Sequence, residues 1–157
     1  MKFTCILFCL AYSTISFANV CSRTQIVTKC LEAITKKSCE KIKKNDLSKI
    51  VVLRLDHLNI DSLKRDDFND LISLEVLDIH RNKLSNLPIG LFNNLPSLKS
   101  LRLDQNKIVR APFGLFSNLF SVKTIYLFGN PIGKSEKNRI QAELPMAKLD
   151  FDSPGHK

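Results

Sequence analysis

The chain has 157 residues and a formal net charge of +9, from 24 basic and 15 acidic side chains. This length predicts a single domain and leaves no room for a separate catalytic domain. Beyond the first 18 residues, no apolar stretch approaches the ~20 residues that a membrane-spanning helix needs. These properties argue against a membrane-spanning protein and against a multidomain enzyme.

The first 18 residues have the pattern of a secretory signal peptide. Lys2 supplies the positive charge, residues 3–10 are apolar, and Ser16, Phe17 and Ala18 form a small-x-small cleavage site. We expect cleavage after Ala18 and a secreted or periplasmic product, in which residues 19–157 remain.

A helical N-terminal cap is predicted next, over residues 19–46. Ser22 and Gln25 have the spacing of a capping box. Five apolar side chains then fall on one face of a helix: Ile26, Val27, Cys30, Leu31 and Ile34. We expect this face to cover the open end of the segment that follows.

A 24-residue period runs from residue 47 to residue 132 without an insertion, which predicts a stacked solenoid. Four columns show it: Leu53, Leu77, Leu101, Ile125; Leu55, Ile79, Leu103, Leu127; Phe68, Phe92, Phe116; and Asn82, Asn106, Asn130. Each Leu-x-Leu predicts a short strand with both apolar side chains on one face. A buried amide is costly unless it is hydrogen-bonded, so each Asn should bond backbone groups of its own and neighbouring coils. Because Leu58 takes the Asn position in the first copy, this ladder should begin at the second coil.

These columns resemble the leucine-rich repeat pattern LxxLxLxxNxLxxLPxxxF, and the flanks resemble the caps of secreted bacterial, internalin-like repeat proteins. The resemblance implies an α/β solenoid, a short horseshoe of about four coils with a parallel concave sheet and a helical cap at each end. Ser135 should begin the C-terminal helix. The predicted segments are a signal peptide 1–18, N-terminal cap 19–46, leucine-rich repeats 47–132, C-terminal cap 133–149 and flexible tail 150–157.

Three cysteines follow the predicted cleavage site: Cys21, Cys30 and Cys39. An exported protein meets an oxidising compartment, so we expect one disulfide and one free thiol. The resemblance favours Cys21 with Cys39, while a sharp turn of the chain would allow Cys30 with Cys39. A Cys30-linked dimer is one alternative, but Cys30 on the apolar helix face fits a small buried hydrophobe, so we expect a monomer.

Function in such a fold depends on its surfaces, and the concave face is the candidate for partner binding. Side chains beside the buried leucines should point outward there, which predicts these contacts: Arg54, Asp56, Asp78, His80, Arg102, Asp104, Tyr126 and Phe128. Opposite charges alternate along two rows of this set and could pair across strands. Tyr126 and Phe128 beside arginines have the composition of an interface hot spot, unless the C-terminal cap or tail covers them.

Neither a metal site nor a catalytic site is predicted. Asp56, His80 and Asp104 offer oxygen and imidazole ligands. Three ligands on a flat surface without supporting groups make a poor site, so we predict no metal and no cofactor. HExxH and a phosphate-binding glycine loop are both absent from the sequence, and the chain is not expected to be an enzyme.

The sequence therefore predicts an exported, non-catalytic recognition module that binds a protein or peptide partner through its concave face. The alternative is a binder of a cell-envelope polymer or another polyanion. That activity would use a basic cluster in the N-terminal cap: Lys36, Lys37, Lys41, Lys43 and Lys44.

Overall fold

The sheet implied by the 24-residue period is present in the computed structural model, which describes residues 20–152. Its first four strands are β1 (Val52–Arg54), β2 (Val76–Asp78), β3 (Ser100–Arg102) and β4 (Thr124–Tyr126). All pair in parallel, and the first apolar column is in register across them: Leu53, Leu77, Leu101 and Ile125. The predicted signal peptide lies outside the described residues, as do residues 153–157.

A fifth strand, β5 (Lys148–Asp150), corrects the predicted C-terminal boundary. It pairs in parallel with β4, with Leu149 opposite Ile125. Leu149 and Phe151 are partly buried against the core, so residues 150–152 extend the repeat and are not a loose tail. Both side chains continue the two leucine columns by one further period of 24, which makes this segment a degenerate fifth coil.

The helices of the described residues are α1 (Gln25–Thr35), the single turn α2 (Lys44–Leu47) and α3 (Lys134–Glu143), which lies between β4 and β5 in the chain. The predicted capping box is wrong, because α1 begins after Thr24 and Ser22 lies in a 3-10 turn. The predicted start of α3 is also wrong, since Gly133 precedes it and Ser135 lies inside it. In none of the described helices is there an apolar run long enough to cross a bilayer.

The core is a single continuous cluster built from the repeat columns. Phe68, Phe92 and Phe116 are each no more than 1% exposed, and adjacent rings stack with centroids 6.1 Å apart and planes 8° from parallel. Because each coil presents the same side chains at the same height, one coil buries what its neighbour leaves exposed.

The asparagine ladder bonds successive coils and begins at the second coil, as predicted. Asn82 accepts bonds from the N–H groups of Leu58 (3.1 Å) and Ile60 (3.0 Å) in the preceding coil. It donates to the C=O groups of Leu55 (2.7 Å) and Ile79 (2.9 Å). Asn106 and Asn130 repeat this arrangement. The strand register, and with it the concave surface, is thereby held by buried amides.

The N-terminal segment is tied to the repeats covalently and by buried polar bonds. Cys21 and Cys39 form a disulfide across α1, with Cα atoms 5.2 Å apart, and Cys30 is free and half-buried. Arg23 donates to the backbone oxygen of Asp67 at 2.7 Å, and the fully buried Asp67 carboxylate accepts from the N–H and hydroxyl of Thr24 at 2.6 Å each. Burial lowers the pKa of Arg23, opposed by nearby acidic groups. The N-terminal segment is therefore fixed to the repeats.

Candidate functional site

The concave surface presents only part of the predicted contact set. Arg54 is exposed, Asp56, Arg102 and Tyr126 are partly exposed, and the His80 side chain is 13% exposed. The remaining three predicted contacts are buried: Asp78 (8% exposed), Asp104 (0%) and Phe128 (5%). The interpretation of these three as direct contacts is therefore wrong. Asp104 and Phe128 lie past the ends of β3 and β4, and both side chains are buried there, whereas Asp56 and His80 at the same position of the first two coils remain partly exposed.

Arg102 is held in place by the buried carboxylates. Its Nε and Nη2 atoms donate to the two oxygens of Asp104, each at 3.1 Å, and its Nη1 lies 3.7 Å from Asp78 Oδ2. The hydrogen bond to Asp104 raises the pKa of Arg102. Its guanidinium carbon lies 5.7 Å from the Tyr126 ring centroid, in a cation–π contact. By contrast, Arg54 forms none of the ion pairs within residues 20–152.

A second row of residues lies just beyond the strands, and not all of its members were recognised from the sequence. His57, Arg81, Gln105 and Gly129 occupy one column of the 24-residue period, and all four have positive φ, from 52° to 67°. Each of these left-handed residues lies just beyond the end of a strand, and the first three bring their side chains together. Arg81 Nη1 lies 3.1 Å from His57 Nε2, and Arg81 Nε donates to Gln105 Oε1. The glycine in the last copy was the available sequence signal, because glycine favours positive φ.

Two histidine–carboxylate pairs lie beside this row. His80 Nδ1 is 2.6 Å from Asp78 Oδ1, and His57 Nδ1 is 3.0 Å from Asp56 Oδ2. The two imidazole rings meet edge to face with centroids 4.9 Å apart. The hydrogen bond from His57 lowers the pKa of Asp56. The structure thus brings Asp56 and His80 together with His57 and not with Asp104, whose carboxylate is bound to Arg102.

The predicted basic cluster of the N-terminal cap is exposed, but part of its charge is neutralised. Lys37 Nζ lies 2.6 Å from Asp46, and Lys44 Nζ lies 3.3 Å from Asp70. Within residues 20–152, Lys36, Lys41 and Lys43 form no such ion pair. The positive charge that this cluster offers to a polyanion is therefore smaller than its number of lysines suggests.

These features define a stack of repeats joined by a five-stranded parallel sheet, and the chain belongs to the leucine-rich repeat family. The family model described as "Leucine rich repeat" matches residues 48–108 and, in a second register, residues 73–132. Both matches lie within the segment that carries the 24-residue period. No curated protein matched the chain in the sequence comparison.

Three solved structures show the same architecture. The leucine-rich repeat domain of APL1B is 27% identical, with a TM-score of 0.60 over 69% of this chain. TLR13, in a complex with ssRNA13, is 30% identical with a TM-score of 0.63 over 68% of the chain. An internalin (inlF) from Listeria monocytogenes is 21% identical, with a TM-score of 0.63 over 82%, and supports the fold alone. The chain spans 33%, 15% and 36% of these three structures, respectively.

Proposed function

We propose that this protein is an exported, non-catalytic recognition module that binds a protein or peptide partner through its concave face. The observation that carries the proposal is the charge arrangement of that face. Its guanidinium groups reach the surface, at Arg54, Arg81 and Arg102, whereas two of its carboxylates, Asp78 and Asp104, are buried beneath them. Leucine-rich repeat membership supports a protein-interaction role for such a face.

The proposed contact set follows from exposure and differs from the set that the sequence suggested. Arg54, His57, Arg81, Arg102 and Tyr126 are the contacts. Asp56 bonds His57, and Asp78 and Asp104 hold Arg102. Asp78 also bonds His80, and Phe128 is buried. Arginine and tyrosine are enriched in interface hot spots, and Arg102 stacked on Tyr126 is already ordered before a partner arrives. Preorganisation of this kind reduces the entropic cost of binding.

The size and charge of the face select the kind of partner. Five strands ~4.8 Å apart span only about 19 Å, so the footprint is near the lower end of specific interfaces. A helix, loop or extended peptide fits this width better than a large domain surface. The exposed guanidinium groups favour a partner segment that carries carboxylates and an aromatic or aliphatic group for Tyr126.

A pull-down with a matched control tests the proposal. The protein and two variants are used as bait for cell-surface and secreted extracts. Arg54→Ser/Arg81→Ser removes two exposed concave charges, and Arg65→Ser/Arg110→Ser removes two exposed charges away from the strands. A partner retained by wild type and by the control pair, but lost with the concave pair, supports concave recognition. If both double variants retain the partner equally, the concave arginines are not part of the binding site.

Polyanion binding by the N-terminal cap is the second candidate. It is supported by the exposed lysines and by the similarity to TLR13, whose structure was solved with a single-stranded RNA. It is weakened by the ion pairs of Lys37 and Lys44. Binding of single-stranded RNA or heparin would fall steeply with salt, because exposed charges are screened beyond ~8–10 Å. A Lys36→Gln/Lys41→Gln/Lys43→Gln variant would lose it, while the concave variant would not.

We also propose that the protein works as a monomer. Cys30 is half-buried against the core, and burial raises the pKa of its thiol. The thiolate is the reactive form, so a raised pKa slows disulfide formation between two chains. Non-reducing and reducing gels should show the same monomer band, and a reducible dimer lost in Cys30→Ser would contradict this.

A further inference from the structure

We propose that the concave face holds a site for a divalent cation of the Zn²⁺ class, with Asp56, His57 and His80 as ligands. One potential ligand atom from each of these residues lies within 4.8 Å of the other two. A carboxylate with two imidazoles is a ligand set that suits Zn²⁺ and its neighbours in the first transition row. From the sequence we predicted no metal site. That prediction concerned a set with Asp104 in place of His57, for which the sequence revealed no supporting groups.

Asp78 provides the support that the sequence did not reveal. Its side chain is 11% exposed, and its Oδ1 lies 2.6 Å from Nδ1 of His80 and 3.2 Å from the backbone nitrogen of His80. Its second oxygen faces Arg102 at 3.7 Å. A carboxylate on Nδ1 places the proton there and leaves the Nε2 lone pair of His80 available to a metal. Metal-binding histidines characteristically have such a partner.

The backbone fixes the two histidines relative to each other. The N–H of His57 donates to the C=O of His80 at 3.2 Å, which continues the ladder between the first two coils. His57 has the left-handed conformation of its column, at φ 57°. The imidazoles therefore start from a defined separation of 4.9 Å between ring centroids. Only rotation of the side chains is needed to bring the three ligands around one ion.

Closure requires modest movements of exposed groups. Ligands of a tetrahedral Zn²⁺ at ~2.1 Å lie roughly 3.4 Å from one another, and the three ligand atoms here lie within 4.8 Å of one another. The side chains of His57 and Asp56 are 51% and 32% exposed, so they can rotate without disturbing the core. Arg81 opposes binding, because its Nη1 lies 3.1 Å from His57 Nε2 and its charge repels a cation. Arg81 is exposed and already bonds Gln105, so it can turn away.

The proposal gives opposite expectations for neighbouring substitutions. His57→Gln and His80→Gln each remove a ligand and should weaken Zn²⁺ binding at least tenfold. Asp78→Asn removes the group that orients His80 and should cost about 10–100-fold in affinity. Arg81→Ser removes a competing cation and should strengthen binding. A merely electrostatic attraction of Zn²⁺ to acidic groups would not depend on the histidines.

The test is calorimetric titration with ZnCl₂ in a background free of other soft ligands. That background carries Cys5→Ser, Cys9→Ser, Cys30→Ser and His156→Gln, which leave the disulfide and the proposed ligands intact. Asp61→Asn, which removes one exposed carboxylate elsewhere, is the matched control. Circular dichroism before each titration verifies that every variant is folded.

We expect one Zn²⁺ per chain, unchanged affinity in Asp61→Asn, and the losses and the gain given above. The imidazole ¹⁵N resonances of His57 and His80 should shift together when Zn²⁺ is added. The proposal is overturned by the absence of one-to-one binding, or by binding that survives His57→Gln or His80→Gln. Because His57 is exposed, His57→Gln should fold normally. Its titration therefore tests the proposal even if Asp78→Asn is unstable.

Discussion

Replacement of Asn82 by alanine should destabilise the fold more than any exposed polar substitution. Asn82 is 7% exposed and bonds five backbone groups. The C=O groups of Ile79 and His80 keep other donors, from Asn106 and from the N–H of His57. The N–H of Leu58 belongs to an exposed residue, which water can reach.

Two buried backbone groups lose their Asn82 partner in this variant, the C=O of Leu55 and the N–H of Ile60. Each unsatisfied buried group costs about 1–3 kcal/mol. The expected loss in the free energy of unfolding is therefore roughly 2–6 kcal/mol, against about 5–15 kcal/mol for a whole small domain.

Urea unfolding followed by far-ultraviolet circular dichroism measures this loss. The matched control is Asn118→Ala, which makes the same chemical change at an exposed position of the repeats. The control should change the free energy of unfolding by no more than about 0.5 kcal/mol. A similar small loss in Asn82→Ala would refute the ladder as a source of stability.

Three further substitutions test local features of the fold. Gly129→Ala should lower the free energy of unfolding by about 1 kcal/mol or more in urea titrations, because φ is +67° and the new Cβ would lie 3.1 Å from a neighbouring side-chain carbon. Hydrogen bonds from Arg139 lower the pKa of Glu136, so this pair stabilises the protein fully above pH 4.5 and loses its contribution as pH falls. Urea midpoints of Glu136→Gln should therefore depend less on pH below 4.5 than those of wild type. Cys21→Ser/Cys39→Ser opens a disulfide with a sequence separation of 18 and should cost about 3 kcal/mol, measured by thermal unfolding without reductant.

Each of these has an outcome that would count against it. An unchanged Gly129→Ala would mean that the last coil tolerates a Cβ in the left-handed conformation. If the urea midpoint of Glu136→Gln depends on pH as that of wild type does, the Glu136–Arg139 pair does not contribute to the loss of stability in acid. Equal thermal midpoints for the double serine variant and wild type would show that buried bonds, such as those of Asp67, hold the N-terminal segment without the disulfide.

The period predicted the repeat architecture well because it reports packing directly. An apolar side chain every 24 residues has to meet its equivalents, and an Asn in the same series has to find backbone partners. Strand register, the Phe68–Phe92–Phe116 stack and the ladder all follow. The fifth coil was missed although Leu149 and Phe151 continue both leucine columns, because Ile140 of α3 takes the next Phe position and Pro154 takes the next Asn position.

The candidate site was predicted less well, since its residues depend on geometry just beyond the strands. Strict alternation would have exposed Asp104 and Phe128, but both are buried, whereas Asp56 and His80 at the same position of the first two coils are partly exposed. Turns through a left-handed residue follow all four positions. The same turns bring His57 and Arg81 to the surface. Side-chain pairing follows the predicted cross-strand rows only in part. Arg102 lies 3.7 Å from Asp78 on the neighbouring strand, but its hydrogen bonds go to Asp104, just past the end of its own strand. A one-dimensional pattern contains no information on these choices.

Site-specific photo-crosslinking tests concave recognition most directly. A benzoylphenylalanine probe is placed at Arg54, on the exposed concave strand β1, or at Phe113, which is 81% exposed and lies outside the strands. We predict a crosslinked partner from position 54 that unlabelled wild-type protein competes away, and no such product from position 113. A specific product from position 113 with none from position 54 would contradict concave recognition.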